Sequence, residues 1–229
     1  MTSEDQAGKG EDMKYRIESL FETKFIKLFD IRYAEGKHYY SATRHDEETL
    51  VANMDDHAFR NMLPDAVSCC VILKSKGKED RILLTEEYRY PVGQFLLSVP
   101  AGLIDPEDRT LPRTEAIFAT AKRELYEETG LEFCEGDRIS LISPCLFSSP
   151  GMTDESNAMV KIILHDKDLT ALSSTGAVGS EQFDGYRLLT RKEAGSILSE
   201  GADRDGRFFS VYTWIGIRAF LDEEEKEQT

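Results

Sequence analysis

Thr114-Glu-Ala-Ile-Phe-Ala-Thr-Ala-Lys-Arg-Glu-Leu-Tyr-Glu-Glu-Thr129, followed by Gly130 and Leu131, is the stretch on which the reading of this chain turns. Ile117, Phe118, Ala121 and Leu125 recur at i, i+1, i+4 and i+8, which makes one apolar stripe of a helix. Thr114 stands where an N-cap is expected and Gly130 where a left-handed stop is expected. At about 100° per residue, Glu124, Glu127 and Glu128 fall within roughly 100° of arc on one face beside the stripe.

Three carboxylates so placed repel, at a cost of a few tenths of a kcal/mol per pair at i,i+3 or i,i+4. A solvated acidic face accounts for them if nothing else is present. A hard divalent cation offsets the repulsion, and Mg²⁺ prefers carboxylate and water oxygens.

Outward from the helix the apolar period falls to two, the spacing of strands. Upstream, Phe25–Tyr33 and His38–Arg44 flank Ala34-Glu-Gly-Lys37 and predict a hairpin. Ala66–Lys74 (AVSCCVILK), Arg81–Tyr88 and Phe95–Val99 predict three more strands. Downstream, Ile139–Ser143, Ala158–Leu164 and Gly185–Leu189 read as strands, and Arg191–Ser199 and Phe209–Glu224 as helices. The expected class is α/β (α+β), a mixed sheet sandwiched by helices, with a small N-terminal antiparallel β hairpin region.

The chain has 229 residues and carries a net charge of −15. A surface this acidic disfavours nucleic acid and anionic membrane as partners. No apolar run approaches the ~18 residues of a membrane span, and the N-terminus has no secretory pattern, so a cytoplasmic location is expected. The four cysteines form no C-x-x-C pair, and at least one of Cys69 and Cys70 is expected in the core. The histidines (His38, His45, His57, His165) have no metal-ligand spacing and read as structural or surface residues. Residues 1–12 are expected as a disordered tail, 13–60 as an N-terminal β region, 61–222 as the main domain and 223–229 as an acidic tail. No repeat or Pro-rich linker marks a second independent domain.

Glu115, seven intervening residues and Arg123-Glu-Leu-x-Glu-Glu-x-Gly-Leu131 match the second part of the Nudix box. The chain resembles the Nudix hydrolases over about residues 25–220. The flanks, Glu87-Tyr-Arg-Tyr-Pro…Ser98-Val-Pro-Ala-Gly-Leu-Ile-Asp105 and Ser149-Pro-Gly-Met-Thr-Asp-Glu155, are similar to the ADP-ribose pyrophosphatase branch. Three departures stand out. The family's first Gly lies fourteen residues before the Arg, whereas Gly102 lies twenty-one before Arg123, which implies a seven-residue insertion within Asp105–Arg113. Ser98 stands where the branch usually has Glu, and Pro150 lies twenty residues after Gly130 instead of the usual sixteen.

The resemblance implies a Nudix-type α/β/α sandwich that hydrolyses the pyrophosphate of a nucleoside diphosphate linked to another moiety. ADP-ribose is the leading substrate, and Mg²⁺ (Mn²⁺ as the substitute) the cofactor. It implies Glu124, Glu128, Glu115 and the carbonyl of Ala101 as metal ligands, with Glu127 completing or orienting the cluster. Arg123 pairs with a box glutamate, and Glu181 in a late loop is the general base. Arg89, Gly102, Pro150 and Glu155 are the substrate-contact candidates. The branch also implies a homodimer through the N-terminal strands. The alternatives are a hydrolase of another nucleotide sugar or dinucleotide, and a Nudix-like ligand sensor without turnover.

Overall fold

The computed structural model describes residues 15–173 and 182–227, the side chains of the last four excepted. These fall into two compact units. The first holds the N-terminal segment to Met62 together with Ser149–Glu155; the second holds Leu63–Ser148 and the chain from Ser156 onward.

The first unit is a three-stranded antiparallel sheet, β1 (Arg16–Glu22), β2 (Lys27–Ala34) and β3 (Lys37–Thr43), in the order β1-β2-β3. The expected hairpin is β2–β3. Its turn places Gly36 at φ +64°, a left-handed conformation natural for glycine. β1 was not anticipated, because most of its residues are exposed and its sequence, RIESLFE, lacks a clean apolar alternation. One turn and a half of helix, α1 (Asp56–Asn61), was also missed. It is capped by Asp55, whose carboxylate accepts from the Ala58 amide at 2.7 Å. Burial would raise the Asp30 carboxyl, but His38 Nδ1 at 2.7 Å and Arg32 Nε at 3.0 Å hold it below the usual range. Ser149–Glu155 joins this unit through four bonds. Tyr39 Oη donates to the Gly151 carbonyl (2.9 Å) and the Ala42 amide to that of Met152 (2.9 Å). Val51 N donates to Asp154 (3.4 Å), and Arg44 Nε meets Glu155 Oε2 (2.7 Å).

The second unit is built on a seven-stranded mixed sheet. Its strands are β4 (Ala66–Lys74), β5 (Arg81–Arg89), β6 (Gln94–Ser98), β7 (Ala101–Leu103), β8 (Arg138–Phe147), β9 (Ser156–His165) and β10 (Phe183–Thr190). The main order is β10-β5-β4-β9-β8, with β6 paired to β5 and β7 to β4. β4 and β9 are parallel and the other pairings antiparallel. β4 is covered on both faces, which is why its sequence is continuously apolar rather than alternating. Val67, Cys69 and Val71 pack with Ile117, Ala121 and Leu125 of α2 (Arg113–Thr129). Cys70 and Ile72 face the other way. They pack with Ala194 and Ile197 of α3 (Arg191–Glu200) and Ile217 and Phe220 of α4 (Val211–Glu227). The result is the expected helix–sheet–helix sandwich, and both adjacent cysteines are fully buried.

The start of α2 corrects one expectation. Thr114 lies inside the helix, and the N-cap position is Pro112, with no side-chain cap. Proline's fixed φ, here −53°, suits a helix start, and its carbonyl accepts from the Ala116 amide at 3.0 Å. At the other end Gly130 closes the helix at φ +71°, its amide donating to the Tyr126 carbonyl at 2.7 Å. Among the described residues no helix is long and apolar enough to cross a membrane.

Candidate active site

The apolar stripe that docks α2 on β4 also turns two carboxylates inward. Glu124 and Glu128 lie one turn apart and keep only 6% and 3% of their surface exposed. Buried charge is costly unless it is paired or hydrogen-bonded. Both carboxylates lie against β7, the three-residue strand of the Pro-Ala-Gly turn. The Ala101 amide donates to Glu128 Oε1 at 3.2 Å. Gly102 leaves room for Glu124: a Cβ there would lie 1.9 Å from Glu124 Oε1 and 2.0 Å from its carboxyl carbon. Only a residue without a side chain lets strand and carboxylate approach so closely.

Arg123 is the fixed point of the site. Its Nη1 donates to Glu124 Oε1 (2.7 Å) and Glu127 Oε2 (3.0 Å), and Nη2 to the Leu103 carbonyl (2.9 Å). Nε lies 3.2 Å from Asp105 Oδ2. Partial burial works against the guanidinium charge, but Glu124, Asp105 and Glu127 outweigh it and raise the pKa. The expected pairing of Arg123 with a box glutamate is therefore present, and it is double. On the sheet side, burial first, then the charges of Glu128 and Glu124, push the Cys69 thiol far above its ordinary range. Tyr186 Oη, from β10, donates to the Glu128 carbonyl at 2.8 Å and fixes the helix end.

The remaining predicted residues are placed as follows. Glu115 is exposed in the first turn of α2. It lies nine residues before Glu124, roughly 13 Å up the axis and about 180° around it on a regular helix, so the structure does not bring it to the other carboxylates. The reason is that α2 begins at Arg113, well ahead of the acidic face, so Glu115 sits on the helix where the box spacing led us to expect it in the cluster. Arg89 ends β5, half-exposed, its Nη2 2.6 Å from Glu87 Oε2. Pro150 and Glu155 belong to the first unit, where Glu155 pairs with Arg44. Glu181 lies outside the described residues. For Ala101, the amide is the group seen to act. Sequence reasoning missed the Leu103 carbonyl, Asp105 and Tyr186, none of which belongs to a spaced motif.

The site suits a hard divalent cation in its donor chemistry. Glu124 and Glu128 are buried oxygen donors, Glu127 is adjacent, and Gly102 lets the strand backbone lie directly against the Glu124 carboxylate. Among the described residues no three acidic, His or Cys side chains converge closely enough to ligate one ion alone. Arg123 draws Glu124 and Glu127 toward itself, while Glu128 is turned to Ala101. A Mg²⁺ ion here would fill its shell with water or substrate oxygens, as is usual for that ion.

With a carboxylate-bearing helix on a mixed sheet in view, comparison with known proteins gives the class. The profile of the family described as NUDIX domain matches residues 62–211, and the chain belongs to that family. Its relatives include the ADP-ribose pyrophosphatase of Saccharomyces cerevisiae, 38% identical over 99 residues, which is 43% of this chain and 38% of that protein. The ADP-sugar pyrophosphatase of Mus musculus is 31% identical over 104 residues, 45% of this chain and 43% of that one. The methanol dehydrogenase activator of Bacillus methanolicus is 32% identical over 161 residues, 69% and 75% of the two chains. The chain thus spans about two fifths of the pyrophosphatases it matches.

Proposed function

We propose that this protein is a Mg²⁺-dependent Nudix hydrolase that cleaves the pyrophosphate of a nucleoside diphosphate derivative, with ADP-ribose as substrate and AMP and ribose 5-phosphate as products. One observation carries the chemistry: two almost fully buried carboxylates one helical turn apart, packed against a Gly-containing strand whose lack of a side chain lets Glu124 lie directly on its backbone. The similarity to an ADP-ribose pyrophosphatase and an ADP-sugar pyrophosphatase supports the substrate class.

Glu124 and Glu128 would hold the metal, with Glu127 beside them. Bound Mg²⁺ would neutralise phosphate charge and lower the pKa of a coordinated water. The chain's own residues supply orientation. Arg123 fixes Glu124 and Glu127, the Ala101 amide fixes Glu128, and Gly102 admits the Glu124 carboxylate against the strand. Arg89, the charged end of β5, is the proposed phosphate contact, exchanging Glu87 for substrate, and Glu181 the proposed base. We further assign a homodimer through the first unit, whose sheet exposes Phe21, Tyr39 and Tyr40, and a cytoplasmic location. Sedimentation equilibrium tests the dimer.

The test of the function is AMP release from ADP-ribose with Mg²⁺, with Glu128→Gln as control. Cleavage that is lost in the control supports the reading. Cleavage of an ADP-sugar but not ADP-ribose moves the substrate and keeps the chemistry, an outcome the mouse relative makes worth including. Tight binding of ADP-ribose with no cleavage under any divalent metal overturns hydrolysis in favour of a sensor.

A further inference from the structure

The box spacing nominates Glu115 for the carboxylate cluster, yet Glu115 lies roughly 13 Å along α2 from Glu124 and about half a turn around it. We propose that Asp105, in the loop between β7 and α2, acts as the positioning residue for Arg123. The inference rests on α2 being the metal-bearing helix. Arginine carries donors on three nitrogens in one rigid plane, so its orientation is set only when more than one edge is held. Nη1 serves the two glutamates and Nη2 the Leu103 carbonyl; Nε is buried and makes no hydrogen bond, and the Asp105 carboxylate is the charge that faces it, at 3.2 Å.

The loop that carries Asp105 is itself pinned. The Arg109 amide donates to the Asp105 carbonyl at 3.2 Å, and a 3-10 turn follows at Asp108–Thr110. Asp108 Oδ2 accepts from Thr120 Oγ1 at 3.1 Å, on the first half of α2. Arg123, Leu103 and Asp105 therefore tie strand, loop and helix together immediately beside Gly102 and Ala101, the two residues that meet the buried carboxylates.

Asp105 faces Arg123, so its effect is expected to pass through the guanidinium. The test uses the full chain and two readouts. The first is Mn²⁺ affinity by electron paramagnetic resonance. The second is the Arg123 Nε–Hε cross-peak in a ¹H–¹⁵N spectrum, assigned by its loss in Arg123→Lys, which needs no metal. Asp105→Asn is expected to weaken Mn²⁺ binding roughly tenfold, as losing outer-shell partners does, and to broaden the Nε–Hε signal by faster exchange. Asp105→Glu should restore both, and Glu115→Gln should change neither. An unaltered Nε–Hε signal in Asp105→Asn, or equal losses in Glu115→Gln, overturns the proposal. A wild-type chain that shows the protected Nε–Hε signal but binds no Mn²⁺ overturns instead the metal reading on which it stands. Asp105 is half-exposed, so these variants keep the fold, which a thermal melt verifies.

Discussion

The amide of Ala101 donates to Oε1 of Glu128 at 3.2 Å, joining a three-residue strand to the end of a helix twenty-seven residues further on. A bond from an amide is one that glutamine can also accept, through its side-chain carbonyl. Replacement of Glu128 by Gln therefore removes charge while keeping shape.

Glu128→Gln should lower hydrolysis by at least about 100-fold, since even outer-shell losses at metal sites cost 10- to 100-fold. Its melting temperature in EDTA should stay level or rise, because one of two like charges at i,i+4 is gone, a relief of a few tenths of a kcal/mol. Scanning calorimetry in EDTA decides this, and a fall of several degrees would mean that the carboxylate is there for the fold.

Gly102→Ala should lose both activity and stability. Gly102 is not in the left-handed region, so the effect is a collision with Glu124 and not backbone strain. Overpacking of this kind costs about 1–3 kcal/mol. Urea denaturation with an Mn²⁺ titration of the same sample measures the two losses; full Mn²⁺ affinity in the variant would show that Glu124 can move aside without consequence.

Stability should depend on acid pH through Asp137, six residues beyond the end of the box. Burial works to raise its carboxyl, but Lys167 Nζ at 2.6 Å and the amides of Cys134 (2.7 Å) and His165 (2.9 Å) hold it below the usual range. A depressed folded-state pKa contributes stability that is complete above the ordinary value of about 3.9. That contribution disappears as pH falls below it and through the folded-state value. Asp137→Asn should cost about 1.5–3 kcal/mol at pH 7, as for a lost hydrogen bond to a charged group, and progressively less as the pH falls below the ordinary carboxylate value. A gap between the two proteins that persists in acid would refute the assignment.

Thiol reactivity should sort the four cysteines. Cys134 is exposed, while burial raises the thiols of Cys145 and Cys69 above the ordinary range and that of Cys70 to about 12. A thiol-specific dye at pH 8 should label Cys134 first, Cys145 slowly, and the other two only after unfolding. Mass mapping of the labelled peptides checks the order; early labelling of Cys69 would show that α2 lifts from the sheet.

Much of the fold was legible because its elements bury a face. β4 was read to the residue, since a strand covered on both sides is apolar throughout. β1, β7 and α1 escaped because they are short or exposed, and their pattern comes from partners distant in sequence. The site divided the same way. Glu124, Glu127 and Glu128 share a helix, so spacing exposed them. Asp105 and the Leu103 carbonyl serve Arg123 from another segment, and a loop carries no period by which to find them. Counting residues placed Glu115 in the cluster; only the point where α2 begins showed that it is turned away.

The first unit has a consequence for synthesis. Its sheet is finished by Gly151, Met152, Asp154 and Glu155, which bond to Tyr39, Ala42, Val51 and Arg44 more than a hundred positions earlier. At roughly 5–20 residues per second, the strands emerge from the ribosome several seconds before the segment that completes them. During that interval Tyr39 and Arg44 lack these native partners. Strand β3 is thus made well before the segment that bonds to it.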